Sequence, residues 1–283
     1  MAVTVGIAGI TSKFARLVLK KNLLEQPEVN IRGFCRNPKK LPEHIRSSTC
    51  VTIVAGDAGD SSALRHFAKR CDVVICCYLG ETTLMTEGQK LLVEACDEEN
   101  APRYIDSDYC IDFTKLEYGQ HPAKDPMKHV KAHLETKQNV RGVHGYFSVS
   151  DPKECKLSFY GTGIEVWEST TYATAAEYAI AADRTAVGML HFLGDRKSIR
   201  QIANEFAEVY GRQPAAFQKV PSNIFAYLAL FYQYYCINGQ TYLKNDLDNA
   251  RYPDVKPVTF EKFMQPHKLV ELPDTYQNAG ADA

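Results

Sequence analysis

The segment from Val3 to Arg36 constrains this chain more than any other. It opens on a short apolar run, Val3-Thr-Val-Gly-Ile-Ala8, and turns through Gly9-Ile-Thr-Ser12. It then follows an apolar helical pattern and closes on a second run, Val29-Asn-Ile-Arg-Gly-Phe-Cys-Arg36. A strand, a turn of small residues, an amphipathic helix and a second strand make a βαβ crossover. Gly6 and Gly9 hold the first two places of a G-x-x-G-x-x-G pattern, and Ser12 stands in the third. With no side chain at such a turn, the backbone can come close to a pyrophosphate. A helix beginning near Lys13 then directs N–H groups and its positive dipole end at that anion. The segment reads as a dinucleotide site; a plain tight turn is the alternative.

The end of the second strand bears on which dinucleotide. NAD-specific sites usually carry an acidic residue there to accept from the ribose 2′-hydroxyl. No acid lies between Val29 and Arg36; the strand ends in Arg36, with Lys39 and Lys40 just beyond. A guanidinium at that place can grip a 2′-phosphate through forked, charge-assisted hydrogen bonds, which favours NADP(H). A solvated basic loop is the other reading of these cations.

A chain of 283 residues can bury a full core, and a net charge of −1 gives no footprint for nucleic acid or an anionic membrane. The nine cysteines are scattered, without a C-x-x-C pair or a Cys/His spacing suited to a metal. Cys76 and Cys77 fall within a predicted buried strand, where a thiol serves as a small apolar side chain. The expectation is a reducing, cytoplasmic setting with no membrane span and no metal.

Further apolar runs follow at Val51–Ala55, Asp72–Cys77 and Arg103–Asp106, alternating with helical patterns at Ser61–Lys69 and from Leu84 onward. Continuous apolar strands interleaved with helices predict a doubly wound parallel sheet of the Rossmann kind. Its ligand would lie beyond the carboxyl ends of the strands. The residues to watch are Gly6 to Phe14, with Ile10 and Thr11 among them, then Arg36, Gly56-Asp57, Cys77 to Gly80 and Ser107 to Tyr109. Asp57 could accept from an adenine amino group, or Gly56-Asp57 could be only a turn. Tyr78 to Gly80 would border the nicotinamide ribose.

Beyond these come a helix at Met127–Lys137, a strand at Val140–Phe147, a short strand at Lys156–Phe159 and a turn at Gly161–Gly163. An alanine-rich helix at Thr171–Ala182 and a strand at Met189–Leu193 precede a helix capped by Ser198 and closed by Gly211. A helix from about Asn223 to Cys236 is rich in aromatics, suited to a flat ligand, a dimer seam or ordinary packing. From Tyr252 on, prolines and small polar residues predict a loose end. The expected division is a cofactor domain over 1–150, followed by a smaller, discontinuous C-terminal substrate part over 151–283.

Three segments resemble the NmrA-like and isoflavone-reductase-like family, atypical members of the short-chain dehydrogenase group. They are Gly6-Ile-Ala-Gly-Ile-Thr-Ser-Lys13; Arg103-Tyr-Ile-Asp-Ser-Asp-Tyr109 with Asp112; and Lys131-Ala132 ahead of Val140-Arg-Gly-Val143. The resemblance spans roughly residues 3 to 210. It implies that Gly6, Gly9, Ser12, Lys13, Phe14 and Arg36 hold NADP(H). It also implies that Lys131, beside the nicotinamide, is the catalytic or ribose-binding lysine, suited in the first case to move a proton while hydride moves from the ring. Lys128, one turn earlier on the same face, competes for that role. Ser107 and Tyr109 could position a substrate carbonyl, or Ser107-Asp108 could cap a turn.

Two departures accompany the resemblance. No Tyr-x-x-x-Lys pair lies on a predicted helix, the one match, Tyr252 with Lys256, being interrupted by Pro253, and the segment from Val143 to Lys156 is short. The expected function is an NADP(H)-dependent oxidoreductase acting on a medium-sized, partly aromatic substrate such as a specialised metabolite. The alternatives are an NADP(H)-sensing regulator that binds a protein partner without turnover, and a biosynthetic cyclase of the same fold. A homodimer is a further expectation.

Overall fold

A computed structural model describes residues 2–19, 23, 24, 26, 28–146, 156–159, 162–181, 186–212, 214–218 and 224–269. The first elements are β1 (Val3–Ala8), α1 (Lys13–Val18), β2 (Val29–Cys35), α2 (Glu43–Arg46), β3 (Val51–Ala55) and α3 (Ser61–Ala68). They continue with β4 (Val73–Cys76), α4 (Gln89–Glu98), β5 (Arg103–Ile105), α5 (Asp125–Leu134) and β6 (Arg141–Tyr146). Then follow β7 (Lys156–Phe159), β8 (Val166–Ser169), α6 (Tyr172–Ala181), β9 (Gly188–His191), β10 (Asp195–Ser198) and α7 (Ile199–Tyr210). The last are β11 (Ala215–Gln218), α8 (Ile224–Ile237) and α9 (Phe260–Met264).

The chain divides into two compact units. The first is made of residues 1–108, 122–145 and 179–190, the second of 109–121, 146–178 and 191–283. The first unit is built on a sheet in the order β3-β2-β1-β4-β5-β6-β9. Every strand pair from β3 through β6 is parallel, with Val5 of β1 facing both Ile31 of β2 and Val73 of β4. This is the doubly wound Rossmann-like order, reversing between β1 and β4.

Ile7, Leu64, Phe67, Val74 and Leu92 are wholly buried, each such side chain contributing about 1.5–3 kcal/mol on leaving water. A side chain at Gly6 would meet Cys71, Phe67 and Val74, so this bare position lets α3 close onto β1. Arg32 of β2 donates to the carbonyls of Phe67 (2.9 Å) and His66 (2.5 Å), satisfying the last turn of α3. Burial pushes the thiols of Cys71 and Cys76 up to about 12, so they act as apolar filler.

The regular helical spacing predicted from Leu84 on gives way to a π-turn over Leu84–Gly88 ahead of α4. Gln89, the first residue of α4 directly after the π-turn, is fully buried. Helix α5 starts earlier than its apolar spacing predicts, because Pro126 suits a first helical turn, and it ends at Leu134. Its far end is tied to α4 by Lys137 and His133, which meet Glu94 at 2.5 and 2.8 Å.

In the second unit β8 pairs antiparallel with β10, and β7 pairs parallel with β11. Glu168 of β8 joins that strand pair to the segment after α8. It accepts from Arg196 Nε at 2.9 Å and from the Leu243 N–H at 2.6 Å. Helix α7 carries the predicted cap in full: Ser198 and Gln201 bond each other's backbone N–H reciprocally. Gly211 closes it at φ 63, a left-handed conformation that suits glycine.

The expected loose end is corrected over its described part. Tyr252, Val255 and Met264 are buried, and α9 lies within this stretch. Tyr252 meets a stack of Tyr178 on Phe192 (ring centroids 4.0 Å apart) edge-on. The aromatic content of Tyr252 outweighs the prolines around it. Residues 270–283, Phe147 and Gly161 lie outside the described residues.

Candidate functional site

The site grows from the carboxyl edge of the first unit's sheet. Gly9 follows β1 at φ +76. A Cβ there would stand 2.8 Å from the Cys77 carbonyl oxygen and 3.2 Å from the Tyr78 ring, so only glycine lets the turn pass the end of β4 this closely. The N–H groups of Gly9 and Ile10 both reach the Phe34 carbonyl, at 2.9 and 3.2 Å, which anchors the turn on β2. Ile10 is buried, its side chain filling the space left by Gly33.

Ser12 caps α1, its hydroxyl accepting from Ala15 N at 3.2 Å. Lys13 and Phe14 open the first turn of α1 beside Thr11. Such a turn suits a phosphate. Phe14 is otherwise buried against the sheet, and Gly6 lies within β1 rather than in the turn, where its role is the packing of α3.

Arg36, Lys39 and Lys40 are exposed at the end of β2, and among the described residues Arg36 and Lys39 make no ion pair. Asn37 holds the following turn by accepting from Lys39 N at 3.1 Å. Asp57, after β3, is exposed and accepts from Gly59 N at 3.0 Å, which uses one carboxylate oxygen in a turn. The edge over β1, β2 and β3 thus gathers the residues from Gly9 to Lys13 with Arg36, Lys39 and Asp57. These cations and first-turn N–H groups fit a phosphorylated dinucleotide.

Over β4 and β5 the edge is laid out differently. Tyr78 is buried and Leu79 is 67% exposed. Ser107 donates its hydroxyl proton to the Tyr78 carbonyl at 2.5 Å, and its N–H reaches Gln89 Oε1 at 3.0 Å. The Ser107 oxygen therefore faces any ligand as an acceptor.

Helix α5 approaches from the next position. Lys128 is on its buried face and pairs with Asp125 at 3.2 Å. Lys131 is less buried and pairs with Glu135 one turn on. Lys124, which no sequence motif singles out, forms a deeply buried ion pair with Asp108 beside Ser107. Gln89 is equally silent in the sequence, because a single polar residue on an amphipathic helix carries no sign of burial. The signal within reach was the spacing of Lys124 and Lys128, four residues apart and hence on one helix face.

Tyr109 falls in the second unit. That unit holds a small cavity bounded by Ile111, Glu168, Phe192, Cys236 and Tyr242. Asp112 is buried there with its Oδ2 3.2 Å from His191 Nε2. Burial pushes the Asp112 carboxyl up, but bonds from His191 and Thr114 outweigh it and hold the group below the ordinary carboxylate value. On α8, Tyr235 is buried, whereas Phe231 and Tyr234 keep part of their rings exposed.

Residues 9–141 match the family model described as NAD(P)H-binding. Among solved structures the chain is similar to an isoflavone reductase, at 16% identity and a TM-score of 0.78, covering 94% of this chain and 99% of that one. It is also similar to the pinoresinol-lariciresinol and phenylcoumaran benzylic ether reductases, at 14% identity and TM-score 0.78, with 95% and 100% covered. A leucoanthocyanidin reductase–NADPH complex from Vitis vinifera shares 15% identity at TM-score 0.72, with 93% and 98% covered. At these identities the likeness is one of fold, and it extends over both units. No curated protein sequence matches the chain.

Proposed function

We propose that this chain, whose residues 9–141 match an NAD(P)H-binding family model, is an NADP(H)-dependent reductase of a medium-sized, aromatic or otherwise conjugated small molecule. The observation that carries the reading is the polarity of the sheet edge. A glycine turn and helix start at β1 are joined at β2 by exposed cations, of which Arg36 and Lys39 make no ion pair among the described residues, where an NAD site would hold an acid. Arg36 grips the 2′-phosphate in this reading, with Lys39 beside it, and the first turn of α1 receives the pyrophosphate. The bound coenzyme supplies hydride.

Ser107 accepts a hydrogen bond from a ribose or substrate hydroxyl, because its own proton is committed to Tyr78. Leu79 offers an apolar wall to a conjugated ring. Lys128, rather than Lys131, delivers the proton. Its burial one turn beyond the buried Lys124, which caps α5, supports this choice, while Lys131 lies nearer solvent with Glu135. The isoflavone and leucoanthocyanidin reductases that share the fold favour an aromatic substrate class.

The test is loss of NADPH absorbance across a panel of enones, quinones and aryl carbonyls, with NADH in parallel. The wild type is expected to prefer NADPH, and Arg36→Ala to raise the NADPH Kd about 10- to 100-fold while leaving NADH unchanged. Unaltered NADP preference in that variant would remove the basis for the cofactor assignment. Tight binding without turnover of any panel member would favour the sensing regulator instead.

A further inference from the structure

We infer that Gln89 is a positioning residue for the nicotinamide half of the coenzyme site, acting through Ser107. The inference rests on the dinucleotide reading above. In a doubly wound sheet the two nucleotide halves lie on either side of the reversal between β1 and β4. With the 2′-phosphate at Arg36 on the β2 side, the nicotinamide half falls over β4 and β5, where Ser107 stands.

Gln89 is wholly buried, and each of its two polar atoms is engaged. Oε1 accepts from the Tyr104 hydroxyl at 2.9 Å and from the Ser107 N–H at 3.0 Å. Nε2 donates to the Met85 carbonyl in the π-turn at 2.9 Å and lies 3.6 Å from Met127 Sδ on α5. The orientation of this amide is fixed by chemistry. The Ser107 N–H can only donate and the Met85 carbonyl can only accept, so a turned amide would break both bonds.

One side chain thus ties together the end of β5, the turn ahead of α4, and the helix that carries Lys128. The Ser107 N–H is held by Gln89, and the Ser107 hydroxyl is held by the Tyr78 carbonyl. With its N–H and its proton both taken, Ser107 presents only lone pairs outward. An apolar replacement of Gln89 leaves the Ser107 N–H without its acceptor and frees the serine to turn.

The experiment compares NADPH with 2′,5′-ADP, which carries the adenine half and the 2′-phosphate but no nicotinamide. In Gln89→Leu, NADPH affinity is expected to fall about tenfold and the nicotinamide emission of the complex to drop, with 2′,5′-ADP affinity held within about twofold. Equal weakening of both ligands, or NADPH binding and emission like the wild type, would overturn the assignment.

Gln89→Glu keeps the proposal open to disproof if the leucine variant does not fold. A protonated carboxyl reproduces both the acceptor and the donor of the amide, whereas an ionised one cannot donate to Met85. Its nicotinamide emission should therefore be lost as pH rises, along a titration absent from the wild type; a flat profile would overturn the role. A wild-type protein that binds neither ligand overturns the coenzyme reading and this inference together. One that binds both, with Gln89→Leu unaffected, overturns this inference alone.

Discussion

Two lysines one turn apart on α5 separate what burial does from what spacing suggests. Lys128 has 9% of its side chain exposed and Lys131 27%, and each has a carboxylate partner on its own helix. Lys128→Met should lower turnover on the best panel substrate about 100-fold, the lower end for loss of a general acid, with NADPH affinity little changed. Lys131→Met should leave both nearly intact. Steady-state kinetics with a separate coenzyme titration distinguishes them, and the reverse order would return the role to Lys131. The sequence showed both residues on one helical face but could not rank them, since depth depends on what packs above α5. Gly9 was legible for the opposite reason: its constraint is local, a φ of +76 that few other residues adopt.

At the scale of elements, what was legible is what short-range chemistry governs. Ser198 and Gly211 bracket α7 in the sequence as they do in the fold, because a cap is made within four residues of itself. Ser198→Ala should destabilise the second unit by about 1 kcal/mol, seen as a lower urea midpoint at unchanged slope. No loss would mean that α7 is held by its packing alone. The strands of the first unit were legible from their continuous apolar runs. The π-turn over Leu84–Gly88 was not, since its apolar residues fit an ordinary helix equally well. Asp112 and His191 were likewise hidden as a pair, because folding alone brings such distant positions within 3.2 Å.

For the molecule as a whole, acid should be felt first in the second unit. Burial raises the carboxyls of Asp112 and Asp248, yet hydrogen bonds (His191 and Thr114 at the first; the His191 N–H, Arg251 and Lys244 at the second) hold both below the ordinary value. A carboxyl depressed on folding adds stability that is full above its unfolded pKa, about 3.9, and disappears as pH falls through the folded value. Trp167, the one tryptophan, packs against the cluster of Ile111, Leu116, Tyr235 and Cys236 in that unit. Its fluorescence should hold steady above about pH 5 and report loosening below about pH 4. Asp112→Asn should flatten that response, and an unchanged acid profile in the variant would exclude Asp112 as its source. The two units themselves carry a larger consequence. Each is assembled from three separated stretches of chain, so the polypeptide passes from one to the other and back before either is complete. Asp108 and Lys124, paired in the first unit, stand where the chain leaves for residues 109–121 and where it has returned. Neither half can be cut out, fused or exchanged as one continuous piece.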